Sequence, residues 1–384
     1  LRAVRAYQSD AQDGEAVVVT TINRPCRPTI ARRSRTLALS LAFLSCPALA
    51  QKSTATPQAA APPQHVWLPP AQVAQEARDF RTDNEDRIVR ELVELLEIPN
   101  VAGDAENIQR NAVKLREMLE ARGIETHLLP SAGRGPVIFG KLLTPEAART
   151  VVFYAHYDGY AVYPAAWTSG KPFEPALWTA AIEGGGKRTS FLEAGHDQGV
   201  EYQDDWRVYA RSAADDKAPI VALLVAIDAL RANRIPLAVN LKIILDGQGE
   251  ADSPELERVA ALNKSPLGGD VLITTEGPAD SSGRPVVSFV SGGSGPQAAH
   301  PPKDSLVARK VVELVEGAAG DFAKQSTIEE RGPVRIFERL GLPVIAVPIV
   351  NFDSHQHAAD ENVRLGNVWR GIEIYAVLLA DLTW

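Results

Sequence analysis

The chain has 384 residues, 45% hydrophobic and 23% charged, with a formal net charge of −8. That is globular composition with ample length for a sizeable core. The acidic balance leaves no electrostatic footprint for nucleic acid.

The chain starts at Leu1, and its one methionine is Met118. Arg32-Arg33-Ser34-Arg35, the apolar stretch 36–45 and Pro47-Ala48-Leu49-Ala50 together read as a secretory signal peptide over 32–50. Residues 1–31 then lie upstream of the real start, and cleavage leaves Gln51 as the new N-terminus. The apolar stretch is too short to span a bilayer, so an exported protein, periplasmic or extracellular and without a membrane span, is expected. Cys46 follows Phe43-Leu44-Ser45, a poor lipobox. Both cysteines, Cys26 and Cys46, precede the cut. A metal site in the mature chain must therefore use His, Asp and Glu. Removing the first fifty residues, with seven Arg and three acids, takes the formal charge from −8 to −12.

Residues 51–78, rich in Ala, Pro and Gln, read as a flexible leader. Ile88, Leu92, Leu95 and Leu96 then form one helical face, closed by Pro99. Ile108, Ala112, Leu115 and Leu119 form another, with Gly123 as a left-handed C-cap. Apolar runs at 137–143, 151–155, 241–245, 271–275, 286–290 and 344–350 predict strands. Helical patterns fall at 219–231, 254–262, 305–315 and 363–382. This alternation predicts one α/β domain over 79–384, a three-layer α/β/α arrangement with a mostly parallel mixed sheet.

Several of these strands release acids or histidines into the loops that follow. The strand 151–155 ends in His156-Tyr157-Asp158. Residues two apart on a strand share a face, so both can point into a crevice at the carboxyl edge of a sheet. A capped strand end accounts equally well for this pair alone. Asp215-Asp216 stands before the helix at 219 and would serve there as simple capping. The strand 241–245 runs into Asp246-Gly247-Gln248-Gly249-Glu250-Ala251-Asp252. The strand 271–275 ends in Glu276, and 344–350 leads to Asp353, His355, His357 and Glu361. Four strands ending in this chemistry favour one shared crevice over four unrelated caps.

Across residues 80–384 these motifs, in this order, resemble the di-zinc amidohydrolases and exopeptidases that include carnosinase-type dipeptidases, carboxypeptidase G and aminoacylase. His156-Tyr157-Asp158-Gly159 looks like the family's His-x-Asp-Gly. Tyr209-Ala210-Arg211 through Lys217 looks like its Gly-Arg-Gly-x-x-Asp-(Asp/Asn)-Lys-Gly. The resemblance implies that Asp215 bridges two metal ions. His156 and Glu276 would complete one site, Glu250 and His357 the other, with Asp158 orienting His156. Two divalent ions follow, Zn²⁺ first, with Mn²⁺ or Co²⁺ also fitting such ligands. The implied reaction is cleavage of a peptide or amide bond in a small peptide or N-acyl amino acid.

Two departures qualify that reading. The family's general-base Glu falls at Gly249, while the adjoining ligand, Glu250, is retained. Asp246 and Asp252 are the nearest acids that could reach the water instead. The family's inserted lid or dimerisation domain has no room between the strand 286–290 and the helix at 305. A monomer is expected on that ground. His300 is the one candidate to replace the lid histidine, against a plain solvated loop residue. His355 reads as a neighbour of the site, and His65, His127 and His196 as surface residues. The alternative function is a catalytically impaired metal- or peptide-binding relative.

Overall fold

The computed structural model describes residues 68–384, apart from 130–134, 196–197, 292–303 and 330–331. The signal peptide, the upstream segment, most of the leader, His65, His196 and His300 lie outside the described residues.

An eight-stranded sheet organises the fold. Its strands are β1 (Glu125–Leu129), β2 (Val137–Leu142), β3 (Thr150–His156), β7 (Asn240–Asp246), β8 (Val271–Thr274), β9 (Val286–Ser291), β10 (Lys324–Glu329) and β11 (Val344–Ala346). They lie in the order β1-β2-β7-β3-β8-β11-β9-β10. The neighbours β7-β3-β8-β11 run parallel, as do β9 and β10, while β1, β2 and the β11–β9 pair are antiparallel. A small antiparallel sheet, β12-β6-β4-β5, combines β4 (Ala176–Trp178), β5 (Arg188–Thr189), β6 (Arg207–Tyr209) and β12 (Asn362–Arg364).

Alternation along the strands sends side chains into two cores. Val151, Phe153 and Ala155 join one, packed with α1 (Pro70–Thr82), α2 (Glu85–Leu96), α3 (Ala105–Ala121), α4 (Ala218–Ala232), α6 (Leu306–Ala319) and α8 (Leu365–Asp381). Val152 and Tyr154 join the other, beneath α5 (Pro254–Leu262) and α7 (Val334–Arg339). The sheet is thus covered on both faces. The central helix, α4, is apolar around nearly its whole circumference and is buried almost throughout. Among the described residues, no helix is long and apolar enough to cross a membrane.

Three local expectations need correction. The leader does not extend to residue 78, because α1 takes in residues 70–78. Pro at the first helical position suits a helix start, and Val73, Ala74 and Ala77 bury its apolar side. The strand expected over 344–350 stops at Ala346, since Pro348 has no N–H for a ladder. The helix expected from 363 begins at Leu365, because residues 362–364 pair with β6. Strands β1 and β10 and the short helix α7 carry no sequence pattern strong enough to predict them.

Candidate metal centre

The carboxyl ends of the four adjacent parallel strands converge on one crevice, where open α/β sheets bind ligands. His156 is the last residue of β3. Glu250 follows β7, Glu276 follows β8, and His357 lies on the loop after β11. Asp215 arrives from the segment that starts α4, after Ser212 in a left-handed conformation. The Asp215–Asp216 peptide is cis. Neither aspartate caps the helix, so the capping role expected of this pair is absent. Asp216 instead turns its Oδ2 to the Thr275 hydroxyl at 3.0 Å.

Asp215 stands between the two histidines. Its Oδ1 is 3.0 Å from His156 Nε2, and its Oδ2 is 2.9 Å from His357 Nε2. Glu250 Oε1 lies 3.1 Å from His357 Nε2. One ligand atom each from His156, Asp215 and Glu250 falls within 4.8 Å of the others. Glu276 lines the same cleft, about 260 Å³ in volume, together with Gly277, Gly332, Pro333 and Gln356.

The hydrogen-bonding pattern suits a cation. His156 Nδ1 faces only acceptors, the Asp158 carbonyl at 3.1 Å and its carboxylate at 3.3 Å. The ring proton of a neutral imidazole therefore belongs on Nδ1, leaving the Nε2 lone pair aimed at the Asp215 carboxylate. Two electron-rich atoms 3.0 Å apart require a positive species between or beside them. Ligand atoms around a tetrahedral ion with bonds of ~2.0–2.1 Å lie roughly 3.3 Å apart, close to the spacings here. Glu250 Oε1 is buried and receives no hydrogen bond of good geometry. The donor set of imidazoles and carboxylates thus fits divalent ions.

Without an ion, protons take up the charge. Burial opposes ionisation of Asp215, but the two imidazoles outweigh it and hold its carboxyl well below the usual range. The Asp215 and Glu250 carboxylates raise His357 to about 10. Burial, with Asp215 and Glu250 nearby, pushes Glu276 up to about 7.

Residues 192–381 match the model of a family described as Peptidase family M20/M25/M40. The chain belongs to the M20 peptidases. A human Beta-Ala-His dipeptidase is 28% identical over 161 residues, 41% of this chain and 27% of that protein. The Cys-Gly metallodipeptidase dug1 of Schizosaccharomyces pombe is 26% identical over 184 residues, 45% of this chain and 33% of that protein. The matched stretch thus spans a third or less of each of these relatives. Human carnosine dipeptidase 1 shares the fold with a TM-score of 0.63 at 14% identity, covering 82% of this chain and 99% of that one. The metallo-carboxypeptidase Sso-CP2 of Sulfolobus solfataricus gives 0.61 at 16%, covering 76% and 98%.

The remaining motif residues of this M20 chain fall into distinct places. Asp158 accepts from the backbone N–H groups of Gly249 and Glu250 at 2.8 and 3.1 Å, so it holds the loop carrying Glu250 as well as facing His156. Neither Asp246 nor Asp252 lines the cleft. Asp246 is buried behind it and meets Tyr154 and the Gln248 backbone. His355 also stays off the lining and stands 3.9 Å from Glu183. His127 is exposed beside Glu125.

Gly249 is packed closely. A Cβ there would lie 2.5 Å from the His156 Cβ. Glu361, to which the sequence assigned no role, accepts from Arg211 and from the backbone N–H groups of Ser212, Ala214 and Asp215 at 2.6–3.1 Å. It is the buried anchor of the Asp215 segment.

Proposed function

We propose that this chain is a metal-dependent hydrolase holding two divalent ions around Asp215, with a peptide or amide bond of a small substrate as its target. The observation that carries the reading is Asp215, with one oxygen directed at each histidine. The family relationship and the cleft's modest size support a dipeptide or N-acyl amino acid. Bound divalent ions would supply Lewis acidity, lowering the pKa of a water and polarising the scissile carbonyl. His156, Asp215, Glu250, Glu276 and His357 would hold them, and Asp158 keeps His156 and the Glu250 loop in place.

The water's proton must still reach the departing amine. A positioned acid–base group typically contributes ~10²–10⁴-fold to such a step. Gly249 has no side chain to provide it, and the carboxylates lining the cleft, Asp215, Glu250 and Glu276, are committed to the ions in this reading. Turnover is therefore expected to be slow by a factor of that order. The mature protein with added Zn²⁺ or Mn²⁺ should bind two equivalents by elemental analysis and cleave members of a dipeptide and N-acyl-amino-acid panel.

Gly249, closed against a side chain by His156, favours a second reading, a metal- or peptide-binding relative without turnover. Two bound ions with no cleavage of any panel member would establish it over the first. Export and a monomeric state complete the proposal. An exported product whose N-terminus is not Gln51 would refute the cleavage assignment, and a stable dimer in sedimentation would refute the monomer.

A further inference from the structure

The two histidines facing Asp215 are supported differently. His156 has an outer partner, since its Nδ1 meets the Asp158 carbonyl and carboxylate. Metal-ligating histidines almost always have such a partner, which fixes the ring's orientation. Among the described residues, no hydrogen bond reaches His357 Nδ1, and its side chain is half exposed. Its backbone is left-handed, at φ 65°, on a loop where His355 and Asp360 are left-handed too.

What His357 has instead is an aromatic face. The Tyr160 ring stacks on it with centroids 4.6 Å apart and planes within 10°. Tyr160 is itself 47% exposed, so core packing does not explain its placement. The backbone of the residue just before it, however, is held. The N–H of the preceding Gly159 donates to the Asn100 carbonyl at 2.7 Å, and the Gly159 carbonyl accepts from Ala102 N–H at 2.8 Å. Gly159 is pressed against Ser212, whose Oγ would lie 2.3 Å from a Cβ there. The neighbour of the His-x-Asp motif is thus a rigid mount, and it presents a flat ring to the other histidine.

We propose that Tyr160 is a positioning residue for His357, its ring replacing the outer hydrogen bond that His357 lacks. The stack holds the imidazole plane so that Nε2 stays aimed between Asp215 and Glu250. This inference rests on the two-ion reading above. The ring is what matters, so Phe should serve in its place, whereas Ala or Leu should not.

The test is a titration of the metal-free full chain with Co²⁺ alone, followed by visible spectroscopy and calorimetry. The wild type should show two binding events. Tyr160→Ala and Tyr160→Leu should weaken one of them by about tenfold, the lower end of the usual outer-partner effect. Their spectrum for that ion should change while the other event stays as in the wild type. Tyr160→Phe should restore both. A second ion bound equally well by the Ala and Leu variants would overturn the proposal. So would a Phe variant as weak as the Ala variant, since the hydroxyl rather than the ring would then act. A wild-type chain that takes up no Co²⁺ would refute the metal-centre reading itself, and the role of Tyr160 with it.

Discussion

At the scale of single residues, Asp215 and Gly249 carry the sharpest expectations. Asp215→Asn removes the charge shared by both histidines, so uptake of both ions should fall together in elemental analysis. Loss of only one would show that the carboxylate is not shared. Gly249→Ala places a methyl 2.5 Å from the His156 Cβ. Overpacking of this kind costs ~1–3 kcal/mol, and here the group that must move is His156, one of the proposed ligands. Reduced zinc affinity with an unchanged far-UV spectrum is expected, and unaltered affinity would mean the loop yields freely. The pH dependence follows from His357, raised to about 10 by Asp215 and Glu250 in the ion-free protein. Below that value the ring carries a proton that an ion must displace. Zinc binding should therefore release about one proton per His357 site, and affinity should drop about tenfold per unit as pH falls from 8 to 6. Calorimetry in buffers of different ionisation enthalpy measures that count.

At the scale of elements, Glu361 links β12 to the start of α4. Arg211 and Glu361 are 2% and 1% exposed, and their charges meet at 2.6 Å. Removing one partner of a buried pair costs ~3–5 kcal/mol because the other is left uncompensated. Glu361→Gln should destabilise the protein by an amount of that order in urea denaturation, and metal uptake should fall because Asp215 loses its backbone anchor. A variant of unchanged stability would contradict this account. The legible elements were those with an apolar run or a helical stripe: β2, β3, β7, β8, β9 and the start of β11, and helices α2 to α6 and α8. Strand β10, Lys-Gln-Ser-Thr-Ile-Glu, has no such run, because an edge strand with one neighbour gains from polar side chains. Strands β4, β5, β6 and β12, of two or three residues each, are too short for any periodicity to register. The proposed ligands that line the crevice were legible because four of the five end a strand or lie on the loop that follows one, where open α/β sheets place their ligand crevice. Tyr160 and Glu361 were not, because their work is visible only when segments far apart in the chain meet, 150 residues apart for Glu361 and Arg211 and further for Tyr160 and His357.

At the scale of the whole molecule, α1 shows what composition conceals. Its Ala and Gln content resembles a linker, yet it packs on α8, α4 and α6. Arg78 reaches Glu373 of α8 through two hydrogen bonds. The Arg78 side chain is 45% exposed, so screening leaves that pair a minor contribution. Burial of Val73, Ala74 and Ala77 carries more, since a fully buried Val alone is worth ~1.5–3 kcal/mol. A chain starting at residue 83 should lose about 3 kcal/mol or more in urea unfolding and expose apolar surface of α8. A truncated chain as stable as the full one would show α1 to be ornamental.

The convergence of His156, Asp215 and His357 also has a mechanical meaning. Ions held there would fasten the end of β3 to a loop near the C-terminus, closing a very long circuit of chain. Such a clasp acts against the unfolded ensemble, where open circuits are favoured by entropy. An ion present at 100 times its dissociation constant would add about 2.7 kcal/mol to folding stability. Chelation should then free the 351–361 loop first, and proteolytic nicking there should precede loss of the sheet.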